Sequence, residues 1–159
     1  MAATNHRFES ADTTQTLAQG LAEYFEAHPE LKRDGDLLSA EAKQFFRSHD
    51  AVHVLYGCGT SMSDEAIVKL SSLFGTTGGW DVLRGYVHHE TLGIYRRLPL
   101  AGTLLALASA PYLILRTLWR CSQQRQRWPW TQYEQYLHRP LQQLRAEFGI
   151  KVAHSRSDA

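Results

Sequence analysis

Residues 39–75 read SAEAKQFFRSHDAVHVLYGCGTSMSDEAIVKLSSLFG, and this stretch predicts two helices joined by a short loop. Ser39 is a suitable N-cap for the first helix, and Gly57 interrupts the helical pattern where that helix should end. Ser61, followed three residues later by an acidic residue, resembles a capping box for the second helix, which Gly75 would close. Apolar residues recur at helical spacing in both segments. We therefore expect a helical hairpin here.

The rest of the chain has the same periodicity. Apolar residues recur every three or four positions, and no alternating apolar and polar pattern is long enough to predict a strand. We therefore expect an all-α fold. Further helices are predicted from a cap at Asp12 to His28, over residues 81–97, and from a capping box at Thr131 to Gly149, with a kink or a helix start at Pro140.

Length and cysteine content are those of one intracellular domain. The chain has 159 residues, enough to bury a hydrophobic core without disulfide bonds or a structural metal. Cys58 and Cys121 have neither the spacing nor the number of a disulfide framework, and no positively charged segment followed by an apolar run indicates a secretory signal. We expect a cytoplasmic single-domain helical bundle over residues 1–159, with residues 1–11 and 152–159 as flexible tails.

Charge is unevenly divided along the chain. The first ninety residues are net acidic and the remainder is net basic, and no acidic residue lies between Glu90 and Glu134. Such a basic half favours an anionic partner, which leaves nucleic acid, phosphate groups and a membrane surface as alternatives. Four arginines of this stretch are candidates for holding a lipid headgroup or a diphosphate: Arg116, Arg120, Arg125 and Arg127.

Residues 98–115, LPLAGTLLALASAPYLIL, are uncharged and flanked by arginines. A helix of this length reaches roughly 27 Å, slightly less than the ~30 Å hydrocarbon core of a bilayer. Pro99 and Pro111 weaken the interpretation as a membrane span further. A helix that lines an apolar groove for a lipid tail, a helix in the membrane interface and a buried core helix remain alternatives.

The first helix of the hairpin carries a potential metal site. His49 and His53 stand at i and i+4, so both imidazoles leave the same helix face, with Asp50 at its edge. The hairpin returns Glu65 towards His53. Two imidazoles and carboxylates suit zinc or another divalent first-row metal. Each residue also has an ordinary explanation, such as a hydrogen-bonded core histidine or a surface pair of Glu65 with Lys69.

The pattern HDxxH, eleven further residues and then a glutamate resembles the Coq-four family, the fourth coenzyme Q (ubiquinone) biosynthesis protein. The residues after the glutamate, Ile67, Val68 and Lys69, match its I-V-K-like positions. A second block, YEQYLHRPLQQLRAEFGI at 133–150, resembles the closing helix of that family. One motif alone would be weak, but two ordered blocks make the resemblance fairly specific.

The resemblance implies a helical protein that works in ubiquinone biosynthesis. It implies a metal-dependent decarboxylase or hydroxylase that performs oxidative decarboxylation at ring carbon one of a prenylated aromatic precursor. The alternative is a non-catalytic prenyl-lipid-binding scaffold at the membrane surface. The metal would be zinc, with iron or manganese as alternatives. The residues that carry over as catalytic and metal-binding are His49, Asp50, His53 and Glu65.

Partners and location follow from the same resemblance. We expect a prenylated quinone precursor or another isoprenoid lipid, the inner face of the cell membrane, other quinone-biosynthesis proteins and a homodimer as partners, and no nucleic acid. Asp64 stands where the family has glycine, which adds a carboxylate that would crowd or join the site. The pair His49-Asp50 also resembles the motif of HD-type phosphohydrolases, but the additional histidine and aspartate of those enzymes have no good candidates here.

Overall fold

The computed structural model describes residues 6–29, 31, 39–89 and 100–154. Within these ranges the chain is helical, which confirms the predicted all-α fold. The β-type pairing that these ranges contain is limited to two isolated bridges, Thr16 with Pro140 and Thr76 with Trp128. The helices are α1 (Leu17–Ala27), α2 (Ala40–Tyr56), α3 (Met62–Phe74), α4 (Gly79–His89), α5 (Leu100–Ser122) and α6 (Leu141–Phe148), with 3₁₀ segments at Arg7–Glu9 and Trp130–Tyr136.

The α2–α3 hairpin has the caps that its sequence predicts. The Ser39 hydroxyl accepts a hydrogen bond from the Ala42 amide, and the Ser61 hydroxyl accepts one from the Asp64 amide. Gly57 ends α2 with φ = 64°, a left-handed conformation that glycine adopts without the steric cost of a Cβ atom. These local signals hold the two helices in the arrangement on which the candidate site depends.

Two other predicted helix starts are placed differently. The N-cap of α1 is Thr16, which forms a capping box with Gln19, whereas Asp12 lies four residues upstream and accepts a hydrogen bond from Ser10. The helix predicted from Thr131 is instead a 3₁₀ stretch followed by a separate α6, which agrees with the predicted alternative of a helix start at Pro140. Proline has no amide hydrogen, and its ring would clash with a preceding helical turn. The predicted end of α6 at Gly149 is confirmed, with φ = 71°. Residues 90–97 of the predicted 81–97 helix lie outside the described residues.

The chain ends contribute to the core, in contrast to the expected flexible tails. Phe8 is fully buried, and Val152 and Ala153 are almost fully buried. The Ala153 amide also donates a hydrogen bond of 2.8 Å to the Tyr56 carbonyl at the end of α2. Burial of Phe8 therefore anchors the N-terminal segment, and burial together with the Ala153 hydrogen bond anchors residues 152–154. Residues 1–5 and 155–159 lie outside the described part of the chain.

Helix α5 packs along α3 and carries residues 100–115 of the apolar 98–115 stretch. In the part of the chain that the structure describes, no helix combines the length and apolar character needed to cross a membrane. Tyr112, Leu115 and Trp119 are more than half exposed on one face of α5. The predicted groove for a lipid tail involves residues 98–115, and the side chains of 98–109 lie outside the described residues.

Candidate metal centre

Three side chains from the two helices of the hairpin converge. His49 and His53 come from α2 and Glu65 comes from the first turn of α3, and one ligand atom of each lies within 4.8 Å of the others. A tetrahedral site with metal–ligand bonds of about 2.0–2.1 Å needs donor atoms about 3.3 Å apart. A contraction of up to about 1.5 Å would therefore bring all three donors to bonding distance. Sequence reasoning predicted each of these residues.

The proton of His53 can be assigned from its hydrogen bond. The ring is fully buried, and Nδ1 lies 2.8 Å from the Gly59 carbonyl oxygen, which can only accept, so Nδ1 carries the hydrogen. In the neutral ring Nε2 is then a bare lone pair, yet Glu65 Oε1 lies 3.2 Å from it. Two electron-rich atoms at this distance repel unless a cation or a proton lies between them. A metal-binding histidine commonly has this pattern, with the second ring nitrogen bonded to a carbonyl.

His49 and Glu65 have the charge states that metal binding needs. Burial lowers the pKa of His49, which favours the neutral, ligating form. Its Nε2 lies 3.9 Å from Glu65 Oε2. Burial opposes ionisation of Glu65, but the neighbouring His53 and His49 outweigh that effect and lower its pKa below the ordinary value. The group therefore offers the neutral imidazole of His49 and the carboxylate of Glu65, which also faces Nε2 of His53.

Asp50 and Glu65 approach opposite nitrogen atoms of the His49 ring. Its Oδ1 lies 3.9 Å from Nδ1 of His49, whereas Glu65 approaches Nε2 of the same ring. That separation exceeds a hydrogen bond and is an electrostatic contact. The donor atoms that converge among the described residues are those of His49, His53 and Glu65, and Asp50 is placed to orient His49 from behind.

Asp64 neither crowds nor joins the converging group. Its Oδ1 lies 2.6 Å from Nε2 of His154, and its Oδ2 accepts a hydrogen bond of 2.7 Å from the Ser61 hydroxyl. Both oxygens are thus engaged outside the site. Sequence reasoning missed His154, because a histidine near the end of a chain gives no local signal of its partner.

Tyr24 of α1 is a further neighbour that the sequence did not reveal. Its ring stacks on His53 with centroids 5.2 Å apart and planes 29° from parallel, and the side chain is almost fully buried. No local sequence pattern indicates this contact, because Tyr24 and His53 lie on different helices. The contact covers one side of the imidazole and keeps water from it.

The four predicted headgroup arginines separate into two places. Arg116 and Arg120 line a narrow cavity between α3 and α5 of about 10 Å³, room for one water molecule, and Arg120 donates to the Val152 and Ala153 carbonyls. Arg125 and Arg127 line an open cleft of about 420 Å³ beside Phe74, Leu118 and Cys121. The two pairs of arginines thus line different cavities, which share Gln124 as a lining residue.

Comparison of the chain with protein-family models, with curated proteins and with solved structures finds no match. The candidate site is therefore defined by the geometry of His49, His53 and Glu65. Three protein donors of the His₂Glu type fill part of a tetrahedral coordination sphere and leave a position for an exogenous ligand. Such a site can polarise a bound carboxylate or phenolate oxygen.

Proposed function

We propose that this chain is a ubiquinone biosynthesis protein that promotes oxidative decarboxylation at ring carbon one of a prenylated aromatic precursor, with a divalent metal at His49, His53 and Glu65. The observation that carries the proposal is the contact between Nε2 of His53 and Glu65, because the Gly59 hydrogen bond leaves that nitrogen ready to ligate. The HDxxH motif with its trailing glutamate supplies the substrate class.

Residues around the candidate ligands orient the two histidine rings and shield them from water. Gly59 fixes the ring of His53, Asp50 lies behind His49, and Tyr24 covers the face of His53 that it stacks on. Glu65 is about one third exposed, so the site opens to a ligand on the side of this carboxylate. A bound divalent cation, zinc by donor type or iron or manganese, supplies Lewis acidity towards an anionic oxygen of the aromatic head. The oxidation also needs oxygen or another electron acceptor.

A non-catalytic scaffold that presents a prenylated lipid at the membrane is the second candidate. The exposed face of α5 formed by Tyr112, Leu115 and Trp119 favours it, because soluble surfaces seldom expose several large apolar side chains together. On this proposal the protein works at the inner face of the cell membrane, alone or as a homodimer, with other quinone-biosynthesis proteins as partners.

Quinone analysis in a bacterial host that makes ubiquinone tests the enzymatic proposal. Deletion of the gene is expected to accumulate a prenylated precursor that still carries its ring carboxylate. Complementation with Glu65→Ala is expected to fail, whereas Glu26→Ala, an exposed glutamate on α1, is expected to restore quinone. Normal quinone levels after deletion would exclude the biosynthetic role in that host. Restoration by Glu65→Ala would favour the scaffold.

Liposome flotation tests peripheral membrane binding. We expect the protein to float with anionic vesicles and to dissociate as the salt concentration rises, because salt screens interfacial charges. A variant with Tyr112, Leu115 and Trp119 replaced by serine is expected to lose most binding. Trp80→Ser removes a comparably exposed aromatic from α4 and is the matched control. Vesicle binding that depends neither on the charge of the lipids nor on the salt concentration would contradict this prediction.

A further inference from the structure

The loop between α2 and α3 lies between the two ends of the chain. A Cβ atom placed on Gly57 would be 3.2 Å from the Glu9 backbone and 3.3 Å from Val152. The same loop contains Gly59, whose carbonyl holds the ring of His53. Segments far apart in sequence therefore determine the position of the loop that orients one metal ligand.

Residues 150–154 form a strap across this loop. The Ala153 amide donates to the Tyr56 carbonyl at 2.8 Å, and the Arg120 guanidinium donates to the Val152 and Ala153 carbonyls at 3.0 Å each. The strap is thus attached to the end of α2 and to α5. Its last described residue, His154, makes a third attachment, to Asp64 in the first turn of α3.

Asp64 connects the strap, the loop and α3. Besides His154, its carboxylate accepts from the N-cap Ser61, and its Oδ2 would lie 3.4 Å from a Cβ atom on Gly59. The side chain is buried although it is charged. Because Asp64 directly precedes Glu65, any shift of this first turn moves the carboxylate that faces His49 and His53.

We propose that Asp64 and His154 are positioning residues, which hold the first turn of α3 and so fix the distance of the Glu65 carboxylate from His49 and His53. The inference depends on the proposed metal site and adds the part of the chain that pre-organises it. A first helical turn lacks intrahelical partners for its amides and is prone to fray. Binding a metal requires its ligands within a few tenths of an ångström of fixed distances, so a frayed first turn weakens the site even when the rest of the helix is intact.

Cobalt(II) titration of purified protein tests this inference, because the visible absorption of the ion reports its coordination. We expect His154→Ala and Asp64→Asn each to raise the dissociation constant for cobalt roughly tenfold. Loss of a residue that supports a metal ligand typically weakens metal binding by about 10- to 100-fold, and tenfold is the lower limit of that range. The double variant should lose little more than either single variant, since both remove the same contact. His154→Gln retains an N–H donor and should recover part of the affinity. Lys151→Ala, a change in the strap whose side chain contacts Trp119 instead, is the control and should bind as wild type.

Helix content and thermal unfolding of the metal-free variants accompany the titration. Unchanged unfolding with weakened cobalt binding supports positioning. A His154→Ala protein that binds cobalt as tightly as wild type overturns this inference alone, as does a variant with lowered stability but unchanged affinity and spectrum. A wild-type protein that binds neither cobalt nor zinc overturns the proposed function together with it.

Discussion

Wild-type protein is expected to contain one tightly bound divalent metal per chain, and the double variant His49→Ala/His53→Ala is expected to contain none. The two imidazoles are two of the three converging donors, and a lone carboxylate binds first-row metals weakly in water. Elemental analysis of proteins purified in parallel measures the difference. His138→Ala, which removes an exposed histidine, is the matched control and should retain the metal.

A stability measurement distinguishes lost ligation from misfolding. Metal that binds only the folded state stabilises it by about 2.7 kcal/mol when free metal is a hundredfold above the dissociation constant. Adding zinc should therefore raise the unfolding temperature of wild type and of His138→Ala but not that of the double variant. Glu65→Gln, a smaller change at a partly exposed position, should also lose most of the zinc effect. Equal metal content in wild type and the double variant would exclude the site.

Local sequence signals account for the part of the site that could be predicted. The caps at Ser39 and Ser61 and the left-handed Gly57 define the hairpin, and each acts within four residues. Once the hairpin is known, the spacing of His49 and His53 places both rings on one face. The histidine and glutamate ligands can therefore be predicted before any tertiary contact is known.

The supporting contacts come from distant residues and could not be predicted. Tyr24 reaches His53 from another helix, and His154 reaches Asp64 across 90 positions of sequence. No local pattern specifies such a pair, because each residue has several possible partners until the chain is folded. The same reason explains the expected flexible tails: burial of Phe8 and Val152 depends on the surface that they meet, not on their neighbours in sequence.

Arg145 is the most consequential of these unpredicted residues. Arginine is rarely buried, yet this side chain, on the same face of α6 as Leu141 and Phe148, is only 4% exposed. The guanidinium donates hydrogen bonds to the carbonyls of Leu55 at 2.8 Å and Val54 at 3.0 Å, at the end of α2. It also donates to Ser10 at 2.6 Å and to Phe8 in the N-terminal segment. One cation thus links three parts of the chain.

Replacing Arg145 by alanine is expected to lower the free energy of unfolding by about 3–5 kcal/mol, because buried carbonyls lose a charged donor and a cavity remains. Burial lowers the pKa of Arg145 to about 10, so the side chain is still a cation at neutral pH, where it also suits the negative end of the α2 dipole. Arg145→Lys keeps a charge but not the planar fork, and should recover only part of the loss.

Urea unfolding, followed by circular dichroism, measures the change. Arg139→Ala is the control, because that partly exposed arginine makes a surface ion pair with Glu147 and a contact with the ring of Tyr136, and its loss should cost about 1 kcal/mol. A loss below about 1 kcal/mol for Arg145→Ala would contradict the assigned role, since it would mean that water replaces the guanidinium at no cost. A loss of stability of the expected size should be accompanied by weaker metal binding. The carbonyls that Arg145 holds directly follow His53 in α2, so the Arg145→Ala protein should also bind zinc more weakly under conditions in which it remains folded.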